Sequence, residues 1–65
     1  MTYLYILRNI KNKHYTGITA IDPRKRLLRH NKGDVFSTKM DRPWTLIHVE
    51  EFKTLKDARF REKII

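Results

Sequence analysis

Three tyrosines, one helix arginine, a histidine and a glutamate carry the chemistry this sequence can offer. The stretch YLYILRNIKNKHYTG, residues 3–17, holds every tyrosine of the chain, Tyr3, Tyr5 and Tyr15, and ends on Gly17. A phenol with a pKa of about 10 is roughly one part in a thousand phenolate at neutral pH. Using it as a base costs about 4 kcal/mol unless a nearby cation lowers that pKa. Arg26 is one such cation, and a metal ion held by Glu62 would be another. Standing alone, three tyrosines are better read as strand packing, so the question is whether the other groups join them.

Glu62 stands out by its position. On a C-terminal helix, Leu55, Ala58 and Ile65 form an apolar stripe, and Glu62 falls within it. A carboxylate there must be paired, bound to a cation, or at the rim of a cleft. A salt bridge to one of the many basic residues and a cation site are equally acceptable readings. Arg26, Arg29 and His30 are expected on one basic helix face, opposite Leu27 and Leu28. As phosphate contacts they would fix the register of a nucleic acid without reading its sequence; a solvated helix face is the bland alternative. Arg24 and Lys25 add charge beside them. His14, His30 and His48 have no metal-site spacing, cysteine is absent, and two glycines do not make a phosphate loop. Zinc sites, thiol chemistry and mononucleotide loops are therefore disfavoured. Phosphodiester hydrolysis assisted by a hard cation remains, because one carboxylate with water and phosphate oxygens can hold Mg²⁺.

These residues need elements to position them. Residues 2–9, TYLYILRN, place Tyr3, Tyr5 and Leu7 on one face and Leu4, Ile6 and Arg8 on the other, which predicts a strand covered on both sides. IKNK is a polar turn and HYTGIT a second strand, so residues 2–19 read as a β-hairpin. Asp22 caps a helix that begins at Pro23 and stops at Gly33. Residues 34–43 read as loop, WTLIHVEEF as a third strand. Thr54 opens a second helix with Asp57 placed for a capping box. The order ββαβα predicts an α/β (α+β) domain with a small three-stranded antiparallel or mixed sheet flanked by helices. The ending KDARFREKII carries no helix stop signal, so the single domain over residues 1–65 is expected to be truncated at its C-terminus.

Charge points to the partner. Fifteen Lys and Arg against seven Asp and Glu give a net charge of +8 in 65 residues. Such an excess favours a polyanion, nucleic acid first. No apolar run approaches the roughly 20 residues of a membrane span, and no secretory signal is visible. A soluble cytoplasmic protein is expected.

Taken in order, Tyr5, YTG at 15–17, Arg26 and His30 in RLLRH, and Glu62 in ARFRE resemble the signature of the GIY-YIG endonuclease superfamily. YLY stands for GIY and YTG for YIG. RPW at 42–44 is similar to the small stand-alone bacterial members, and the likeness spans the whole chain. It departs at Tyr3, where the family has glycine, and at Leu4, where it has isoleucine. The spacing from Gly17 to Arg26 is also one residue longer than in some members. The resemblance implies that Tyr5 and Tyr15 position or deprotonate the attacking water, without saying which is the base. It implies that Arg26 binds the scissile phosphate, His30 assists, Glu62 holds a single Mg²⁺ or Mn²⁺, and Gly17 permits close approach at the strand. Arg24, Lys25 and Arg29 would contact flanking phosphates. The implied function is a metal-dependent, weakly sequence-selective DNA endonuclease, in repair or recombination, with RNA not excluded as substrate and targeting left to a partner protein. The alternative is a non-catalytic nucleic-acid-binding module with the same fold.

Overall fold

The computed structural model describes residues 1–65. Its elements follow the expected order: β1 (Thr2–Asn9), β2 (His14–Thr19), α1 (Pro23–Lys32), a 3₁₀ helix (Phe36–Asp41), β3 (Trp44–Phe52) and α2 (Leu55–Ile64). The sheet is wholly antiparallel, with strand order β2-β1-β3.

The hairpin is set by its turn. Asn9 Oδ1 accepts from the backbone N–H groups of Lys11 and Lys13 at 3.0 and 2.9 Å. Asn12 takes the left-handed conformation, φ 64°, which asparagine tolerates better than most residues. Tyr5 then lies opposite Gly17, and Leu7 opposite Tyr15.

Being the middle strand, β1 is buried on both faces: Leu4 and Leu7 have no exposed surface and Tyr5 retains 1%. The face carrying Tyr5 and Leu7 packs with Trp44, Tyr15, Leu27 and Leu46. Helix α1 covers it. The Leu4 face pairs with Glu50 and Phe52 of β3 and is covered by α2, which buries Ala58 against it and pairs Arg61 with Glu50 at 2.8 Å. A bulge falls in β3, where Ile6 faces His48 but Leu7 faces Leu46. The extra residue, Ile47, lets Leu46 and Val49 share the α1 face.

Both helix starts follow the sequence. Asp22 Oδ1 accepts from the Arg24 N–H at 2.9 Å, with Pro23 at the first helical position. Gly33, φ 85°, ends α1 in the left-handed conformation and returns its N–H to His30. Thr54 Oγ1 caps α2 by accepting from the Asp57 N–H at 3.2 Å. The reciprocal half of the capping box is missing, since Asp57 is one methylene shorter than glutamate.

Three expectations need correction. Residues 34–43 are not plain loop, because Phe36–Asp41 wind into a 3₁₀ helix that buries Thr38. The α1 faces are arranged differently from the expected Leu27/Leu28 divide: Leu28 is exposed, whereas His30 is fully buried. Pro23, Arg26, Leu27 and His30 form the inward face at helical spacing, leaving Arg24, Lys25 and Arg29 exposed. On α2, only Ala58 of the expected stripe is buried; Leu55 and Ile65 are about half exposed. No helix is long and apolar enough to cross a membrane.

Candidate active site

Four of the predicted residues meet over the α1 face of the hairpin. The Tyr5 side chain crosses from β1 onto β2 and lies directly over Gly17. A β-carbon at Gly17 would fall 2.5 Å from the Tyr5 hydroxyl oxygen and 2.8 Å from its Cε1. Gly17 is therefore needed for the approach of this protein's own tyrosine at the strand.

That ring brings the Tyr5 hydroxyl to His30 Nε2, 2.9 Å away in a buried setting. The Tyr15 ring stands 4.9 Å from the His30 ring and 6.3 Å from the Tyr5 ring, centroid to centroid. Arg26, one helical turn before His30 on the same inward face, is half-buried, and its Nε is buried with no hydrogen-bond partner. Helix α1 is held in this position by Asn31. Its side chain accepts from the Trp44 N–H at 2.6 Å and donates to the Trp44 carbonyl at 3.1 Å, which ties α1 to the start of β3.

Burial pushes the Tyr5 phenol above its ordinary value, and the Arg26 guanidinium beside it opposes that rise. His30 is held below the ordinary imidazole value, first by burial and then by the charges of Arg26 and Arg29. At neutral pH the pair is thus an un-ionised phenol bonded to an un-ionised imidazole. The consequence for stability has a definite sign. Because His30 is harder to protonate folded than unfolded, its contribution is complete above the unfolded pKa near 6.5 and is lost as pH falls from there. Tyr5 acts in reverse: its contribution is complete below about 10 and is lost as pH rises beyond. Glu50, which Arg61 and His48 lower to about 2, adds a separate loss below about 4.5. The urea midpoint should therefore be level between about pH 7 and 9.5 and decline on both sides. A midpoint unchanged down to pH 5 would contradict the buried, neutral His30.

Glu62 is not in contact with this group. It is exposed on α2, on the other face of the sheet, and makes no ion pair; the neighbouring Arg61 is the residue that does. The salt-bridge reading of Glu62 is thereby corrected. No cluster of three or more His, Asp or Glu side chains gathers anywhere in the chain. A single carboxylate with both oxygens free suits a hard divalent ion whose remaining ligands are water and phosphate oxygens.

Sequence reasoning missed Thr38, whose Oγ1 lies 2.7 Å from His30 Nδ1. A lone threonine in FSTKMD carries no periodic or spacing signal that would have singled it out. Arg24 lines a cleft of about 370 Å³ with Tyr3, Asp22, Pro23, Leu46 and Val49, beside the tyrosine group on the same face.

A small antiparallel sheet carries tyrosines on two strands, facing an arginine and a histidine on the first helix. The chain matches the model of the GIY-YIG catalytic domain over residues 1–65 and belongs to that family. It is also similar to UPF0213 protein SSP2268 of Staphylococcus saprophyticus, with 39% identity over 61 residues, 92% of this chain and 73% of the relative. No solved structure matches the chain.

Proposed function

We propose that this protein is an endonuclease that hydrolyses DNA phosphodiester bonds at the Tyr5–Tyr15–Arg26–His30 group. The observation that carries this reading is the meeting of the Tyr5 and Tyr15 rings, the His30 imidazole and the half-buried Arg26 on one face of the hairpin. Arg26 is half-buried and takes part in none of the ion pairs of the chain, so its terminal nitrogens are available to phosphate oxygens.

In this reading Arg26 takes the scissile phosphate and counters the charge that develops on its oxygens. The Tyr5 and Tyr15 hydroxyls hold the attacking water on the face next to His30. Exposed Arg24, Lys25 and Arg29 on α1 take flanking phosphates and set the strand's register. Glu62 is the residue that would hold a single Mg²⁺ or Mn²⁺, which when bound supplies Lewis-acid polarisation of the phosphate. The net charge of +8 supplies affinity that falls steeply with salt and reads little sequence. Selection of a cutting site, in repair or recombination, would then come from DNA structure or from a partner protein.

Glu62→Ala tests the reading against a purely binding module. DNA retardation should be nearly unchanged, because an exposed carboxylate is lost from a basic surface. Nicking in Mg²⁺ or Mn²⁺ should fall by about 100-fold or more, on the scale of losing one group that stabilises transition-state charge. Equal retardation with no nicking by either protein would favour the non-catalytic module.

A further inference from the structure

His30 and Thr38 are both buried, at 0% and 1% exposure. The imidazole is engaged at each nitrogen: Nδ1 lies 2.7 Å from Thr38 Oγ1 and Nε2 lies 2.9 Å from the Tyr5 hydroxyl. A neutral ring carries one proton, so one nitrogen donates and the other accepts.

The threonine end chooses between these arrangements. Thr38 Oγ1 also faces the Val35 carbonyl oxygen at 3.4 Å. That carbonyl only accepts, so the threonine proton goes to Val35 and Oγ1 is left to accept from Nδ1–H. With the ring proton on Nδ1, Nε2 keeps its lone pair, and the Tyr5 hydroxyl 2.9 Å away is the group that donates to it. Thr38 is itself held in place, because its backbone N–H donates to Val35 at 3.2 Å and its carbonyl accepts from Trp44 Nε1 at 3.0 Å.

We propose that Thr38 is a positioning residue that fixes neutral His30 as the Nδ1–H tautomer, leaving Nε2 to receive the proton of the Tyr5 hydroxyl. This rests on the nuclease reading for its use, and there it makes Tyr5, not Tyr15, the relay to the terminal proton acceptor. As the water oxygen bonds to phosphorus, its proton passes to the Tyr5 oxygen and the Tyr5 proton passes to Nε2. Tyr5 ends neutral, as it began, and no free phenolate is formed. The P–O bond to the leaving oxygen breaks with its electron pair; that oxygen takes a proton from bulk water, and the imidazolium later returns its own. Facing His30 are Tyr5 from β1, Tyr15 from β2, Arg26 and Arg29 on α1, and Thr38 from the 3₁₀ helix. The two arginine charges oppose an imidazolium in the free protein, and a bound phosphate offsets them.

The test is ¹⁵N spectroscopy of the imidazole rings, with the His30 signals assigned by their loss in His30→Asn, run beside single-turnover cleavage of plasmid DNA. Wild type should carry its proton on Nδ1. Thr38→Val, similar in shape but without the hydroxyl, should show a mixed or reversed tautomer. Its kcat should drop by about 10–100-fold with KM unchanged, the usual scale for losing an orienting partner of a functional histidine. Thr38→Ser should restore both readouts. The rate should also rise with pH through the His30 ionisation and then level off, whereas a phenolate base would keep it rising past pH 10. A wild-type proton on Nε2, or Thr38→Val with wild-type tautomer and rate, overturns the proposal. An Nδ1 proton in a protein that cuts no DNA upholds the tautomer lock and overturns the nuclease reading instead.

Discussion

Replacing Arg26 with alanine is expected to slow phosphodiester cleavage by about 10²–10³-fold, the loss seen when one preorganised transition-state donor is removed. Substrate affinity should change far less, because the chain keeps all but one of its fifteen Lys and Arg residues. The split follows from where the side chain sits. Arg24, Lys25 and Arg29 are exposed on α1, where water screens their charge. Arg26 is half-buried, its Nε is shielded and unpaired, and its field reaches both Tyr5 and His30. In that less polar setting its interaction with developing charge is stronger than at the surface. Arg26→Lys should recover little, since an ammonium cannot present the planar pair of donors that a phosphate takes from guanidinium. Retardation at fixed salt and single-turnover cleavage measure the two effects separately. A parallel loss of both would make Arg26 an ordinary affinity residue.

Gly17→Ala is expected to damage stability and activity together. Its backbone is not left-handed, so conformational strain is not the cause. The cost is steric: the added methyl would press on the Tyr5 ring, which cannot stay where it is. Overpacking of this kind costs about 1–3 kcal/mol. The ring's displacement should also break the 2.9 Å bond to His30, and a misplacement near 1 Å at a reacting group costs about 10²-fold in rate. A double-mutant cycle checks the origin. In a Tyr5→Ala background the stability cost of Gly17→Ala should largely vanish, because the two side chains no longer collide. A cost of the same size in both backgrounds would contradict the packing seen here.

Much of the fold was legible because local rules agree with it. Alternation in TYLYILRN marked β1 as two-sided, Asp22-Pro23 and Gly33 bounded α1, and Thr54 began α2. What hydropathy could not show was which way α1 turns. A helical wheel ranks His30 as polar and Leu28 as apolar, yet His30 is buried through two specific hydrogen bonds and Leu28 is left outside. Partners distant in sequence decide that, and one of them, Thr38, lies in a segment with no periodic signal. Tyr5, Tyr15, Arg26 and His30 were expected together from sequence, and the structure makes them neighbours. The direction of Glu62 was not legible, because an exposed helix residue is placed by how α2 crosses the sheet.

Incubating supercoiled plasmid with wild type and with Arg26→Ala, in Mg²⁺ and in Mn²⁺, tests the central claim most directly. The account predicts nicked and then linear DNA from wild type, at a rate at least 100-fold above the variant, with both proteins retarding the plasmid alike. Retardation by both with no wild-type cutting in either ion, or cutting that Arg26→Ala leaves intact, would contradict it.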